Sequence, residues 1–181
     1  MAGKTLANIR IYGDDLSMVN VAPKGTTLPT DLVTPLVAAF KDVGWLAEDG
    51  VEVSRKLNTS KHKAFQGGSV VRQKRVSDGD TFVFTALEET ATALGLYYTG
   101  STVTTATGTS TIAVPAAVGT DERAWVIDVV DGAVTKRYTI ARGEVIDIDK
   151  VSHKNTEMTM YKFTVGILGA FQIITNNPAF P

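Results

Sequence analysis

The stretch that most limits how this chain folds is residues 51–89. Alternating and β-branched residues predict three strands there, Val51–Leu57, Ser69–Val76 and Asp80–Leu87. The last two are joined by Ser77-Asp78-Gly79, a short turn with the glycine a hairpin favours. The run then passes into a helical stretch at Leu87–Leu96. Residues 51–76 hold seven of the eighteen Lys and Arg residues and one acid, Glu52, a balance of +6. Residues 1–50 carry six acids and four bases, −2, and residues 77–181 carry twelve acids and seven bases, −5. A long basic β element in an otherwise acidic chain calls for an oppositely charged partner.

The rest of the chain supports a mainly β fold, a β-sandwich or barrel with one or two short flanking helices. With 181 residues, 44% hydrophobic and 20% charged, it is long enough for one core and has the composition of a globular domain. A single domain spanning 1–181 is expected, with 1–30 as N-terminal strand and arm and 170–181 as C-terminal tail. No apolar run approaches the roughly 20 residues a bilayer requires, so no membrane insertion is expected. The first residues lack the apolar core of a signal peptide. The absence of Cys excludes disulfides, thiolate metal sites and a Cys nucleophile.

Within the arm, Ile9, Ile11 and Met18–Ala22 can each add a strand, and Pro23, Gly25 and Pro29 keep Lys24–Thr30 extended. Thr34 as N-cap, Pro35 in the first turn and Gly44 as a stop predict a first helix with Leu36, Val37 and Phe40 on its apolar face. Trp45 and Leu46 follow as core, and Glu48-Asp49-Gly50 turns the chain. Asn58–Gly68, with Lys61, His62 and Lys63, reads as an eleven-residue loop. Glu88 and Glu89 fall in the first turn of the second helix, whose buried side is Ala91, Leu94 and Tyr98. The uncharged Gly100–Thr120 stretch predicts a flat hairpin, Val103–Thr105 with Thr111–Val114, turning at Thr107-Gly108. Another hairpin turns at Asp131-Gly132, between Arg123–Val129 and Val134–Ile140. Val145–Asp149 and Glu157–Leu168 are the last strands, and Thr175–Pro181 an extended tail.

Catalytic chemistry finds no foothold. His62 and His153 lie beside lysines with no nucleophile elbow. Asp147 and Asp149 read as the solvent face of a strand whose Ile146 and Ile148 point inward, rather than as half a cation site. Glu88-Glu89 suits a helix start better than acid/base work, and Gly67-Gly68 lacks the Lys and helix of a phosphate loop. No cofactor and no enzymatic activity are expected. For the basic run three readings stand: a solvated face, contact with an acidic surface of another subunit, or nucleic-acid binding, the last weakened by few aromatics for stacking.

Several stretches, in order, carry a family resemblance: Ala22-Pro23-Lys24-Gly25-Thr26-Thr27-Leu28-Pro29; Val43-Gly44-Trp45 with Glu48-Asp49-Gly50-Val51; Ala64-Phe65-Gln66-Gly67; Thr81-Phe82-Val83-Phe84 running to Glu88; and Tyr97-Tyr98-Thr99-Gly100. In these the chain resembles the major tail proteins, or tail tube proteins, of long-tailed bacteriophages with non-contractile tails. Related proteins often have Trp where Phe65 stands, and Ser101–Thr120 is left unmatched. The resemblance implies hexameric rings stacked into a hollow tube, with strands of all subunits joined in an inner β-barrel. It implies a tape-measure protein, tail terminator and tail-tip proteins as partners, and double-stranded DNA crossing the lumen without specific binding. The location implied is the virion, with assembly in the host cytoplasm. Arg55, Lys56, Lys61, Lys63, Phe65, Arg72, Lys74 and Arg75 are expected at subunit or ring interfaces. Val51, Val53, Val71, Gln73, Phe82 and Phe84 are expected on the inner-barrel strands. Two other readings are a receptor- or carbohydrate-binding virion module, with an exposed aromatic platform involving Trp125 or Tyr138, and a secretion-tube subunit of similar architecture.

Overall fold

The computed structural model describes residues 5–180, with the backbone alone at Ala7, Val76, Ser77 and Asp78. Residues 1–4 of the stretch judged for a signal peptide, and Pro181 of the tail, lie outside them. The strands in chain order are β1 (Met18–Pro23), β2 (Lys41–Asp42), β3 (Leu46–Lys63), β4 (Val70–Ala86), β5 (Thr102–Ala106), β6 (Thr109–Ala113), β7 (Arg123–Asp131), β8 (Val134–Ile148), β9 (Tyr161–Ile167) and β10 (Phe171–Thr175). One helix, α1 (Ala91–Tyr97), lies between β4 and β5. The fold is mainly β and antiparallel, as the sequence predicts.

The main sheet runs β2-β1-β7-β8-β9-β4-β3, with β10 also on β8. It folds over on β8. That strand pairs with β10 through Lys136–Ile140 and with β9 through Gly143–Ile148. The two halves face each other across the core, because Trp125 of β7 sits edge-on to Phe82 of β4 at 5.2 Å between ring centroids. Those strands are three places apart in the sheet, so the contact crosses between layers. Phe84, Phe163, Val165, Ile127 and Ile140 complete the same apolar cluster.

Gly143 marks the fold-over. An added Cβ there would stand 2.8 Å from Trp125 Cδ1 and 3.2 Å from Val165 Cγ1. The Trp125 indole N–H donates to the Gly143 carbonyl at 3.1 Å, which ties the bend to the core. Gly143→Ala is expected to lower stability by about 1–3 kcal/mol through overpacking, read as an earlier urea midpoint at unchanged slope. An unchanged midpoint would show that the bend has slack.

The first predicted helix does not form. The Asp31 carboxylate accepts from the Val33 and Thr34 amides and from the Thr34 hydroxyl at 2.6–2.8 Å, so Asp31 closes an Asx turn and the Thr34 hydroxyl expected to cap a helix is spent on it. Leu28, Leu36 and Phe40 pack against Ala124 and Val126, on the face of β7 turned away from the main core. Burying Phe40 there wins over a two-turn helix that has little stability of its own. The segment Lys24–Thr30 also stays on the body, with Lys24 Nζ 2.6 Å from Glu122. Among the described residues Ile9 and Ile11 join no strand, whereas Met18–Ala22 does as β1.

Other expectations shift by a few residues, for local reasons. Trp45, expected in the core, is 69% exposed: Gly44 at φ +94° turns the chain after buried Val43. The turn expected at Glu48–Gly50 is a register irregularity inside β3. Helix α1 starts later than Leu87, because Thr90 caps it by accepting from the Ala93 amide. Glu88 is used on the Trp45 amide and Glu89 on the Tyr161 hydroxyl. The helix therefore buries Ala93 and Leu96 rather than Ala91 and Tyr98. Ile146 and Ile148 are exposed because β8 has a register shift between Val145 and Asp147. Val145–Asp149 is no separate strand but the end of β8. The tail begins with paired strand β10, and the Asn176 side chain accepts from the Thr135 amide and donates to the Ala133 carbonyl.

The hairpins at Thr107-Gly108 and Asp131-Gly132 form where predicted. Trp125 is fully buried and Tyr138 half-buried beside Phe171, so neither offers the aromatic platform that a glycan-binding module needs.

Candidate subunit interface

β3 and β4 are the longest pair in the molecule and run unbroken from Val70 to Ala86 and from Leu46 to Lys63. The three expected strands are therefore two. Gly79, at φ +92°, sits in a bulge of β4 instead of a hairpin turn, where the register shifts between the pairs Arg55–Asp80 and Leu57–Ser77. A bulge uses the same left-handed glycine as a turn, which is why the sequence reads either way. The expected Asn58–Gly68 loop is likewise mostly ladder, with Asn58–His62 paired to Arg72–Val76. The actual turn is Ala64–Gly68, closed by the Ala64 amide on the Ser69 carbonyl at 2.8 Å, with Gly67 and Gly68 at positive φ.

Only the root of this pair belongs to the body. β9 covers β4 from Asp80 to Ala86 and no farther. Beyond the bulge, residues 56–75 form a two-stranded arm whose described side chains are exposed, with only Ala64 in the turn half-buried. A lone ribbon of this kind is at best marginally stable in water. Both of its faces are open to solvent.

The interface residues expected from the sequence gather here. Arg55 lies at the root, 3.7 Å from Asp80. Lys56, Lys61 and Lys63 lie on β3, Arg72, Lys74 and Arg75 on β4, and Phe65 in the turn is 100% exposed. Lys61 pairs with Gln73 and Thr59 with Arg75, placing these on one face; His62 with Arg72 and Ser60 with Lys74 share the other. Both faces are thus cationic. From Lys56 to Arg75 there is no acid.

The residues named for inner-barrel strands divide. Val51, Phe82 and Phe84 pack in or against the core, and Val53, opposite Phe82, is 40% exposed. Val71 is exposed, and Gln73 too, out on the arm. The opposite face of this layer carries Glu52, Ser54, Thr81, Val83, Thr85, Lys162 and Thr164. Among the described residues, the outer edge of β3 pairs with nothing, which leaves a long row of backbone donors and acceptors open. The sequence reading missed this edge, because which strand ends a sheet is decided by pairing partners far away in the chain.

A family model described as phage tail tube protein matches residues 15–172. The chain belongs to that family. The match takes in the whole arm and ends two residues into β10. No curated protein matches this tail tube protein. Solved structures similar to it include a chain of the anti-feeding prophage baseplate, six-fold symmetrised, at 12% identity and TM-score 0.49, covering 96% of this chain and 97% of that one. A chain from the tail of the empty gene transfer agent particle, refined with C6 helical symmetry, shares 11% identity at TM-score 0.45, covering 86% and 93%. One from the native gene transfer agent virion shares 12% at TM-score 0.43, covering 87% and 94%.

Proposed function

We propose that this tail tube protein is a non-enzymatic structural subunit of the virion, in a long, non-contractile tail. It assembles in the host cytoplasm as hexameric rings that stack into a hollow tube. Its partners in this reading are a tape-measure protein, tail terminator and tail-tip proteins, with double-stranded DNA crossing the lumen unbound. The observation that carries the reading is the projecting β3–β4 arm together with the free edge of β3. A closed barrel of subunits removes the strand edge that a lone protomer exposes. Oppositely charged patches give the head-to-tail contacts a ring or stack requires.

Arm cations paired with acids of neighbouring subunits leave the lumen weakly interacting, so that DNA is not held by its phosphates. The Ser- and Thr-rich face of β3, β4 and β9 suits a wetted wall for the same reason.

Electron microscopy of concentrated protein, alone and with tail-initiating partners, tests this reading. Tubes with a repeating ring support it. Monomers under both conditions, with intact particles lacking this chain, would sink it. Arg72→Glu with Lys74→Glu is expected to leave the melting temperature within about 2 °C, since surface changes are small, while tube formation is lost. Normal tubes from that double variant would show that the arm charge takes no part in assembly.

A further inference from the structure

Between the N-terminal segment and the root of β3 lies a groove of about 660 Å³ lined by Asp14, Asp15, Asp42, Glu48, Asp49 and Glu88. No Lys or Arg lines it. Exposed Trp45 stands in its wall, and so does Tyr12, whose hydroxyl is buried without a hydrogen-bond partner. Among the described residues none of the six carboxylates forms an ion pair; those with partners accept from backbone amides, as Asp14 does from Gly132, Asp42 from Gly44 and Glu88 from Trp45. The six cations of the arm are equally unpaired among the described residues, while Arg10, Lys24, Arg55, Arg123, Arg137, Arg142 and Lys154 all find acids. Lys41, Lys136, Lys150 and Lys162 also form no ion pair among the described residues, and neither do Glu52, Asp147 and Asp149, but the arm with six cations and the groove with six acids are the two large groups of one sign.

We infer that this groove is the acceptor for the tip of the β3–β4 arm of a second copy of the chain. An arm cannot enter its own groove. Val51 lines the groove, and the thirteen residues from Val51 to Lys63 carry the tip roughly 40 Å away along an extended strand. The acids also suit a row of separate cations better than one ion, because among the described residues no three of them converge as metal ligands. Phe65, fully exposed at the tip, supplies the aromatic surface that Trp45 lacks a partner for. Donor and acceptor patches differ, so the contact is head-to-tail and leaves a free arm and a free groove on every pair.

The inference rests on the tube reading for its purpose but is tested apart from it. The chain has no Cys, so introduced thiols report cleanly. Phe65→Cys protein is mixed with Ala47→Cys protein, Ala47 lying in the groove wall, and oxidised. Disulfide-linked heterodimer is expected several-fold above a control mixture of Phe65→Cys with Thr104→Cys. The excess is expected to vanish near 1 M salt, where the Debye length falls to about 3 Å. Tubes without that excess would overturn the acceptor site and leave the tube reading standing. The excess without tubes, even with tail-initiating partners, would do the reverse. Neither excess nor tubes would remove both.

Discussion

Trp125→Ala is expected to cost about 3–5 kcal/mol, as for other buried large-to-small changes at aromatic positions. At this chain length that lowers the melting temperature by roughly 10 °C. The indole is fully buried, edge-on to Phe82 at 5.2 Å and to Phe84 at 6.0 Å, and it is the side chain that joins the two layers. Its loss also leaves the Gly143 carbonyl without the indole N–H at the fold-over. Trp125→Phe is expected to recover much of the loss, since it refills most of the volume without restoring the hydrogen bond. Calorimetry on both variants checks this. A Trp125→Ala shift below about 3 °C would mean that the layers hold together without it.

The second large effect is electrostatic. Arg137 and Asp128, 9% and 7% exposed, form a two-pronged ion pair at 2.7 Å across β8 and β7. The hydrogen bonds to Asp128 hold the Arg137 pKa above its ordinary value despite burial. The remaining guanidinium nitrogen donates to the Asp31 carbonyl at 2.8 Å and anchors the Asx turn there. Arg137→Leu strands a buried carboxylate and Asp128→Leu a buried guanidinium, so each is expected to cost about 3–5 kcal/mol. The double Leu variant is expected to cost clearly less than the sum, because no charge is left unpaired. Chemical denaturation of the three variants gives the coupling. Additive losses would show that the two side chains act independently.

The strands of the body were readable because their periods are local. Tyr161, Phe163, Val165 and Ile167 alternate inward as written, and Asp131-Gly132 turns where a hairpin must. The failures come where one local signal serves two structures. Gly79 answers for a turn or a bulge, and Thr34 for a helix cap or the partner of an Asx turn; in each case pairing with distant residues decides. The basic arm was legible as charge, though not as a continuous ribbon. The acidic groove was not legible, because Asp14, Asp42 and Glu88 are brought together only by the fold.

The arm and the core share the same two strands. Phe82 and Phe84 are pinned in the core, and a few residues earlier β4 stands bare in solvent as Lys74 and Arg75. Gripping the arm therefore damps fraying of a ladder whose other end is the core. Any partner that binds it only in the ladder form adds its binding free energy to the stability of the whole domain. On the proposed contact between copies, heat resistance is therefore expected to depend on concentration: a dilute protomer melts at the temperature set by its core, and a crowded one higher.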